Sequence, residues 1–356
     1  IQLPRCICSI WIQRMNSRIT IALDAMGGDF GTAVVVPAAV LAARENPDID
    51  FILVGDKAEL EKSLIRESAT GNSQLQIRHA SQKVEMDELP SSALRNKKDS
   101  SMRVALNLVK EGAANACVSA GNTGALMATS RFVLKMLPGI DRPAICTALP
   151  SEKSHTWMLD LGANVDCDAE HLLQFAVMGS ELAGAVDGNR HPSVGVLNIG
   201  EEEIKGNEQV REAAHMISES SLNYAGFAEG DDIYKGNFDV IVCDGFIGNV
   251  SLKTSEGVAR MIATFIKQEF TRNIFTKLAA LVAMPVLKAF RSRIDPRLYN
   301  GASLLGLRGI VIKSHGSADA LSFSNAIKVA IVSVREAVPD RISARLQSFQ
   351  ENRQAT

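Results

Sequence analysis

Short apolar runs, each closed by a polar turn that contains glycine, recur along the chain at Ile19–Leu23, Ala116–Val118, Thr156–Leu159, Val194–Leu197, Val240–Val242 and Ile310–Ile312. Their apolar positions are consecutive rather than alternating, the pattern of strands buried on both faces of a parallel sheet. Phe51–Val54 and Gln74–His79 read as two further strands. Helical periodicity fills the intervals at Thr32–Asn46, Glu59–Glu67, Met102–Glu111, Ala125–Met136, Ala169–Ala185, Glu208–Ser218 and Ser251–Phe270. Strand and helix therefore alternate, which predicts an α/β fold with helices covering a mostly parallel sheet. Residues 15–346 read as one catalytic domain, with a division into two lobes open.

The glycine turns fall where such a sheet binds ligands, beyond the carboxyl ends of its strands. Asp24-Ala-Met-Gly-Gly-Asp-Phe-Gly31 leads from strand to helix, so the amides of Gly27 and Gly28 can face an anion beside Asp24. Ser119-Ala-Gly-Asn-Thr-Gly124 makes the same offer through Gly121 and Gly124, with Ser119, Asn122 and Thr123 as further donors. One such loop would read as a tight turn; two on one sheet favour an anion site. Neither has the spacing of a dinucleotide or P-loop motif, and no GxSxG elbow occurs. The turn from Asp160 through Asn164 to Asp166 and Asp168 gathers carboxylates that either hold a divalent cation or cap the next helix. Capping is the preferred reading, because no other acids complete a coordination shell, and no metal or other cofactor is expected. Lys205, after Glu201-Glu-Glu203, offers a positive charge at the crevice. Asn249, after Asp244-Gly245, either bonds a substrate oxygen or caps a helix. His315 follows Lys313 on the last glycine turn and can sit near an anion.

Composition narrows the function. Net charge −2 and 5% aromatics argue against nucleic acid as a partner. Six cysteines in 356 residues make no disulfide framework, and no CxxC or HExxH motif supports zinc. Residues 1–14 show no period and read as an extension ahead of a start at Met15; residues 347–356 read as a polar, frayed tail. No run is long enough for a spanning helix, which places the chain in the cytoplasm or peripherally on a membrane. Thr271–Ile294 stands apart: Phe275, Leu278, Leu281, Val282 and Val286 share it with five cations and no acid, and Pro285 is expected to break or kink it. That composition suits either a helix on an anionic bilayer or a subunit interface.

Taken together, the turns resemble those of the bacterial phosphate acyltransferase (PlsX) family. The likeness rests on Ala22–Gly31, Val118–Ala125, Leu159–Asp166, Asn198–Glu203, Cys243–Val250 and Tyr299–Ala302 with Lys313–Gly316, in that order from Arg18 to Ser348. Thr32 stands where the family typically has proline, a mild change at a helix start. The resemblance implies a three-layer α/β/α fold like that of isocitrate and isopropylmalate dehydrogenases, and a homodimer. It implies conversion of fatty acyl-acyl carrier protein and inorganic phosphate to acyl-phosphate and free carrier, for phospholipid synthesis. It further implies peripheral membrane contact through 271–294 and hand-off to a membrane glycerol-3-phosphate acyltransferase. By family position Lys205 and Asn249 are the expected catalytic residues, with phosphate held among Gly27, Gly28 and Gly121–Gly124. Arg95, Lys97 and Lys98 are candidates for steering an acidic carrier protein. The competing expectations are a phosphotransacylase using acyl-coenzyme A and a nicotinamide-dependent decarboxylating dehydrogenase of the same fold.

Overall fold

The computed structural model describes residues 18–355, so the expected extension at residues 1–14 lies outside the described residues. The chain forms two compact units, Ile1–Leu134 with Ser314–Val334 and Lys135–Lys313 with Arg335–Thr356.

In the first unit, β1 (Ile19–Asp24), β2 (Ile49–Gly55), β3 (Leu75–His79) and β4 (Ala116–Ser119) run parallel in the order β3-β2-β1-β4. Ile21, Leu23, Phe51 and Leu53 are fully buried, as consecutive apolar positions on an inner strand require. Helix α1 (Thr32–Glu45) buries its Val and Ala face, and α2 (Lys57–Arg66) starts where Asp56 accepts from the Glu59 amide. Next come α3 (Pro90–Asn96), α4 (Ser101–Lys110), capped by Ser100, and α5 (Thr123–Leu134).

The second unit holds β5 (Ala144–Pro150), β6 (His155–Leu159), β7 (Ser193–Leu197), β8 (Asn223–Ala228), β9 (Val240–Val242), β10 (Ala302–Leu305) and β11 (Ile310–Lys313). Their order is β11-β10-β5-β6-β9-β7-β8. Strands β6, β9, β7 and β8 are parallel, whereas β10 is antiparallel to both neighbours and β5 to β6. Helix α6 (Ala169–Asp187) is almost wholly buried and packs Phe175, Met178 and Leu182 into a core with Val194, Val196, Val240 and Val242. Helices α7 (Glu208–Ser218) and α8 (Asp232–Lys235) follow in sequence order around β8. Next come α9 (Gly245–Thr271) and α10 (Ile274–Ile294), and α11 (Ala320–Arg335) and α12 (Val338–Ala355) complete the chain.

The mostly parallel α/β reading holds, with four corrections. Strands β5, β8 and β10 lie in segments whose Pro and Gly content masks a strand pattern. Helix α9 begins at Gly245 rather than Ser251, because Asp244 caps it. Helix α10 runs unbroken through Pro285; the chain instead bends by 120° before it, where Asn273 and Thr276 form a capping box. The tail expected to fray from Gln347 continues α12 to Ala355, and Phe349 packs against the core.

Candidate active site

At the end of β1, the Asp24 carboxylate is 1% exposed and accepts from Ser119 Oγ at 2.6 Å. The Gly121 amide donates to the same Ser119 oxygen at 3.0 Å. A buried chain of Asp24, Ser119 and Gly121 thus fixes the turn after β4 against the turn after β1. Their approach requires glycine: a Cβ on Gly27 would lie 2.6 Å from Asp24 Oδ2 and 2.8 Å from the Gly121 amide nitrogen. Gly28, at φ +84°, sits against Ala120 and the Gly316 carbonyl, and that carbonyl accepts from the Asp29 amide at 2.9 Å. Burial raises the Asp24 pKa, opposed by the Ser101 and Ser119 hydroxyls and the amides of Met26 and Gly27; Oδ1 itself makes no hydrogen bond.

Asn122 turns out to be a clamp. Its amide donates to the Met86 and Glu88 carbonyls at 2.7 and 3.1 Å, and its Oδ1 caps α5 through the Ala125 amide at 2.9 Å. The opening amides of α5 belong to the exposed residues Thr123 and Gly124, and a helix's first amides have no acceptor within the helix. They are the natural anion donors of this unit. His315 is exposed on the adjoining turn, with Nδ1 2.9 Å from Ser317 Oγ.

In the second unit, Asp160 ends β6 with both oxygens filled. Oδ1 accepts from the amides of Ile145 and Ala163 at 2.9 and 3.1 Å, and Oδ2 from Asn164 N and Nδ2 at 2.7 and 2.9 Å. Burial raises its pKa against those bonds. Asn164 also donates to Pro143 O at 2.8 Å, and its carbonyl accepts from the Gly245 amide at 2.8 Å. Asp160 and Asn164 therefore build the floor of the site, and Asp168 forms a capping box with His171. Among the described residues no three potential metal ligands converge.

Asp244 accepts from the amides of Phe246 and Ile247 at 2.9 and 3.0 Å and so takes the cap role left open for Asn249. Asn249 is exposed, and its amide makes no hydrogen bond to the described residues. A Cβ on Gly162 would lie 3.3 Å from Asn249 Cβ, so this side chain stands over the turn after β6. Lys205, on the exposed loop after β7, pairs with Glu202 at 2.7 Å, which raises its pKa. The turns bearing Asp160, Asn249 and Lys205 all leave the carboxyl ends of the adjacent parallel strands β6, β9 and β7.

The remaining candidates lie on or just after helices rather than on these turns. Arg95 lies in the last turn of α3, with Lys97 half-buried and Lys98 exposed just beyond the helix. Phe275, Leu278, Leu281, Val282 and Val286 on α10 are 54–84% exposed. No single helix among the described residues is long and apolar enough to cross a membrane. Sequence reasoning missed Gly245 and Gly248, whose Cβ atoms would meet Asn164 O at 2.4 Å and Asp160 O at 1.8 Å. Their signal is the spacing of Gly-Phe-Ile-Gly, which packs the first turn of α9 onto backbone.

Residues 19–341 match the family model described as fatty acid synthesis protein. The chain is 63% identical over 327 residues to the phosphate acyltransferase of Methylococcus capsulatus, covering 92% of this chain and 96% of that protein. It is 60% identical over 335 residues to the phosphate acyltransferase of Alkalilimnicola ehrlichii, covering 94% and 98%. Among solved structures, a phosphotransacetylase from Streptococcus pyogenes shares the fold, with TM-score 0.60, 17% identity and coverage of 94% and 100%. EutD phosphotransacetylase from Staphylococcus aureus does so at TM-score 0.58 and 15% identity, covering 90% and 94%. With its glycine turns in order and such identity along most of its length, the chain belongs to the phosphate acyltransferase family of fatty-acid and phospholipid synthesis.

Proposed function

We propose that this phosphate acyltransferase takes its acyl group from a fatty acyl-acyl carrier protein. A phosphate oxygen attacks the thioester carbonyl, the new C–O bond forms, and the C–S bond breaks. The thiolate leaves and takes a proton from water, giving acyl-phosphate and free carrier. Phosphate is already an anionic nucleophile, so the protein must chiefly orient it and stabilise the tetrahedral oxyanion. The amides of Thr123 and Gly124, the turn at Gly27 and Gly28, and His315 are the phosphate ligands in this reading. In the second unit, Lys205 leaves Glu202 for the developing oxyanion, and Asn249 donates to the carbonyl oxygen. The uncommitted amide of Asn249, standing over a floor of fully bonded groups, is the observation that carries the assignment.

A covalent cysteine route has little support. Burial raises the thiols of Cys117, Cys146 and Cys243, and Cys167 is pushed up to about 11. Incubation with phosphate and either acyl-carrier protein or acyl-coenzyme A, followed by hydroxylamine trapping, tests the reading. Hydroxamate formed with carrier thioester at higher kcat/KM is expected; preference for the coenzyme A thioester would move the enzyme to phosphotransacylase chemistry.

The same proposal covers the setting. Arg95, Lys97 and Lys98 attract the acidic carrier, and two copies pair as a homodimer. The α10 apolar face rests on the cytoplasmic surface of an anionic membrane, from which acyl-phosphate passes to a membrane glycerol-3-phosphate acyltransferase. The exposed apolar residues of α9 and α10 support this, since no described segment covers them.

A further inference from the structure

The loop between β7 and α7, residues 198–207, carries Lys205 together with two strongly exposed apolar side chains. Ile204 is 86% and Ile199 78% exposed. Two isoleucines in water on one short loop call for an apolar partner. The loop itself is braced. Asn198 Nδ2 donates to the carbonyls of Gly200 at 3.1 Å and Lys205 at 3.3 Å, drawing its two limbs to a single amide. The Lys205 amide closes a turn onto Glu202 O at 3.0 Å, and Arg211 holds Gly206 O at 2.7 Å. Each isoleucine adjoins one of the two carbonyls that share the Asn198 amide. The bracing therefore draws the backbone next to each isoleucine toward one point, beside Lys205.

Charge decides what they can meet. Glu201, Glu202 and Glu203 lie between them against two cations, Lys205, itself engaged with Glu202, and Arg211 at Gly206, which leaves an acidic excess. An anionic bilayer or an acidic protein would be repelled from this loop, whereas an uncharged hydrocarbon would not. Because β7 pairs in parallel with β9, the loop opens at the same strand ends as the Asn249 turn.

Resting on the reaction proposed above, we infer that Ile199 and Ile204 form an apolar clamp on the fatty chain of the thioester. The loop thereby sets chain-length preference while its lysine serves the oxyanion. The test compares hexadecanoyl and butanoyl thioesters of the carrier, with hydroxamate trapping, for the parent enzyme and the Ile199→Ser, Ile204→Ser double variant. The ratio of kcat/KM for the long over the short donor is expected to fall by about tenfold. A partly misfolded preparation lowers both rates and leaves that ratio intact, so an unchanged ratio overturns the clamp. Ile204→Phe, which fills the clamp, is expected to shift the optimum to shorter chains; the parent optimum retained would also count against it. A change of oligomeric state in the serine variant would assign the isoleucines to a second copy and likewise overturn the clamp. If the parent enzyme forms no acyl-phosphate from either donor, the proposed reaction fails rather than the clamp.

Discussion

Asp24 and Asp160 end two parallel-sheet strands and are both buried, yet they are kept differently. Asp160 has donors on both oxygens, while Asp24 has Ser119 on one and none on the other. Burial raises both, so the native chain holds protons above the ordinary carboxyl value of 3.8 while the unfolded chain has lost them. In that window the native state binds more protons, so these groups' contribution to stability falls as pH rises toward their folded pKa values. Asp24→Asn keeps an acceptor for Ser119 and removes one of the two contributions. Urea unfolding measured against pH is expected to show a shallower decline in the variant; an identical slope would mean that Asp24 holds no extra proton. Lys205 and Asn249 carry a kinetic expectation. Asn249→Ala should lower kcat by about a hundredfold, the usual effect of losing an oxyanion donor. Lys205→Ala should lower kcat as well, and full activity in either variant with a native circular dichroism spectrum would refute its role.

Helix α9 shows how an element's start is set by what it packs on. Asp244 satisfies its first amides, and Gly248 lets its first turn lie directly on the backbone of Asp160. Gly248→Ala would force that turn away, with a cost of about 1–3 kcal/mol for overpacking a fixed neighbour. Guanidinium unfolding checks this, and the variant should lose acyl-phosphate synthesis as Asn249 is displaced. Consecutive apolar runs made the buried parallel strands readable, but the antiparallel β5 and β10 escaped. Pro143, Pro150, Gly301 and Gly306 punctuate them like loops, and only their pairing with each other and with β6 and β11 makes them strands. Pro285 misled for the opposite reason. A proline within a long helix removes one hydrogen bond, whereas the Asn273 capping box supplies a competing stop two residues after α9 ends.

Within the second unit, α9 and α10 present Val258, Met261, Ile262, Phe265, Phe275, Leu278 and Val282 to solvent. Peripheral attachment through α10 predicts co-sedimentation with anionic vesicles that weakens by about tenfold in Leu278→Asp, Val282→Asp. The proposed homodimer would survive that variant in analytical ultracentrifugation. Dissociation to monomers with vesicle binding retained would make α10 a subunit interface instead.

The chemistry of this chain was written in its turns. Glycine, asparagine and aspartate at strand ends have local backbone reasons to be there, so their order alone pointed to the family and to an anion at the sheet's edge. Which of those side chains are spent on the fold was decided only by tertiary structure. Asn122 and Asn164 are identical in type to Asn249, and Asp244 differs from them only in its carboxylate, but their bonds go to carbonyls and amides distant in sequence or to a helix start. Asn249 alone of these four has a side chain with no hydrogen bond to the described residues, and packing sets that side chain over Gly162.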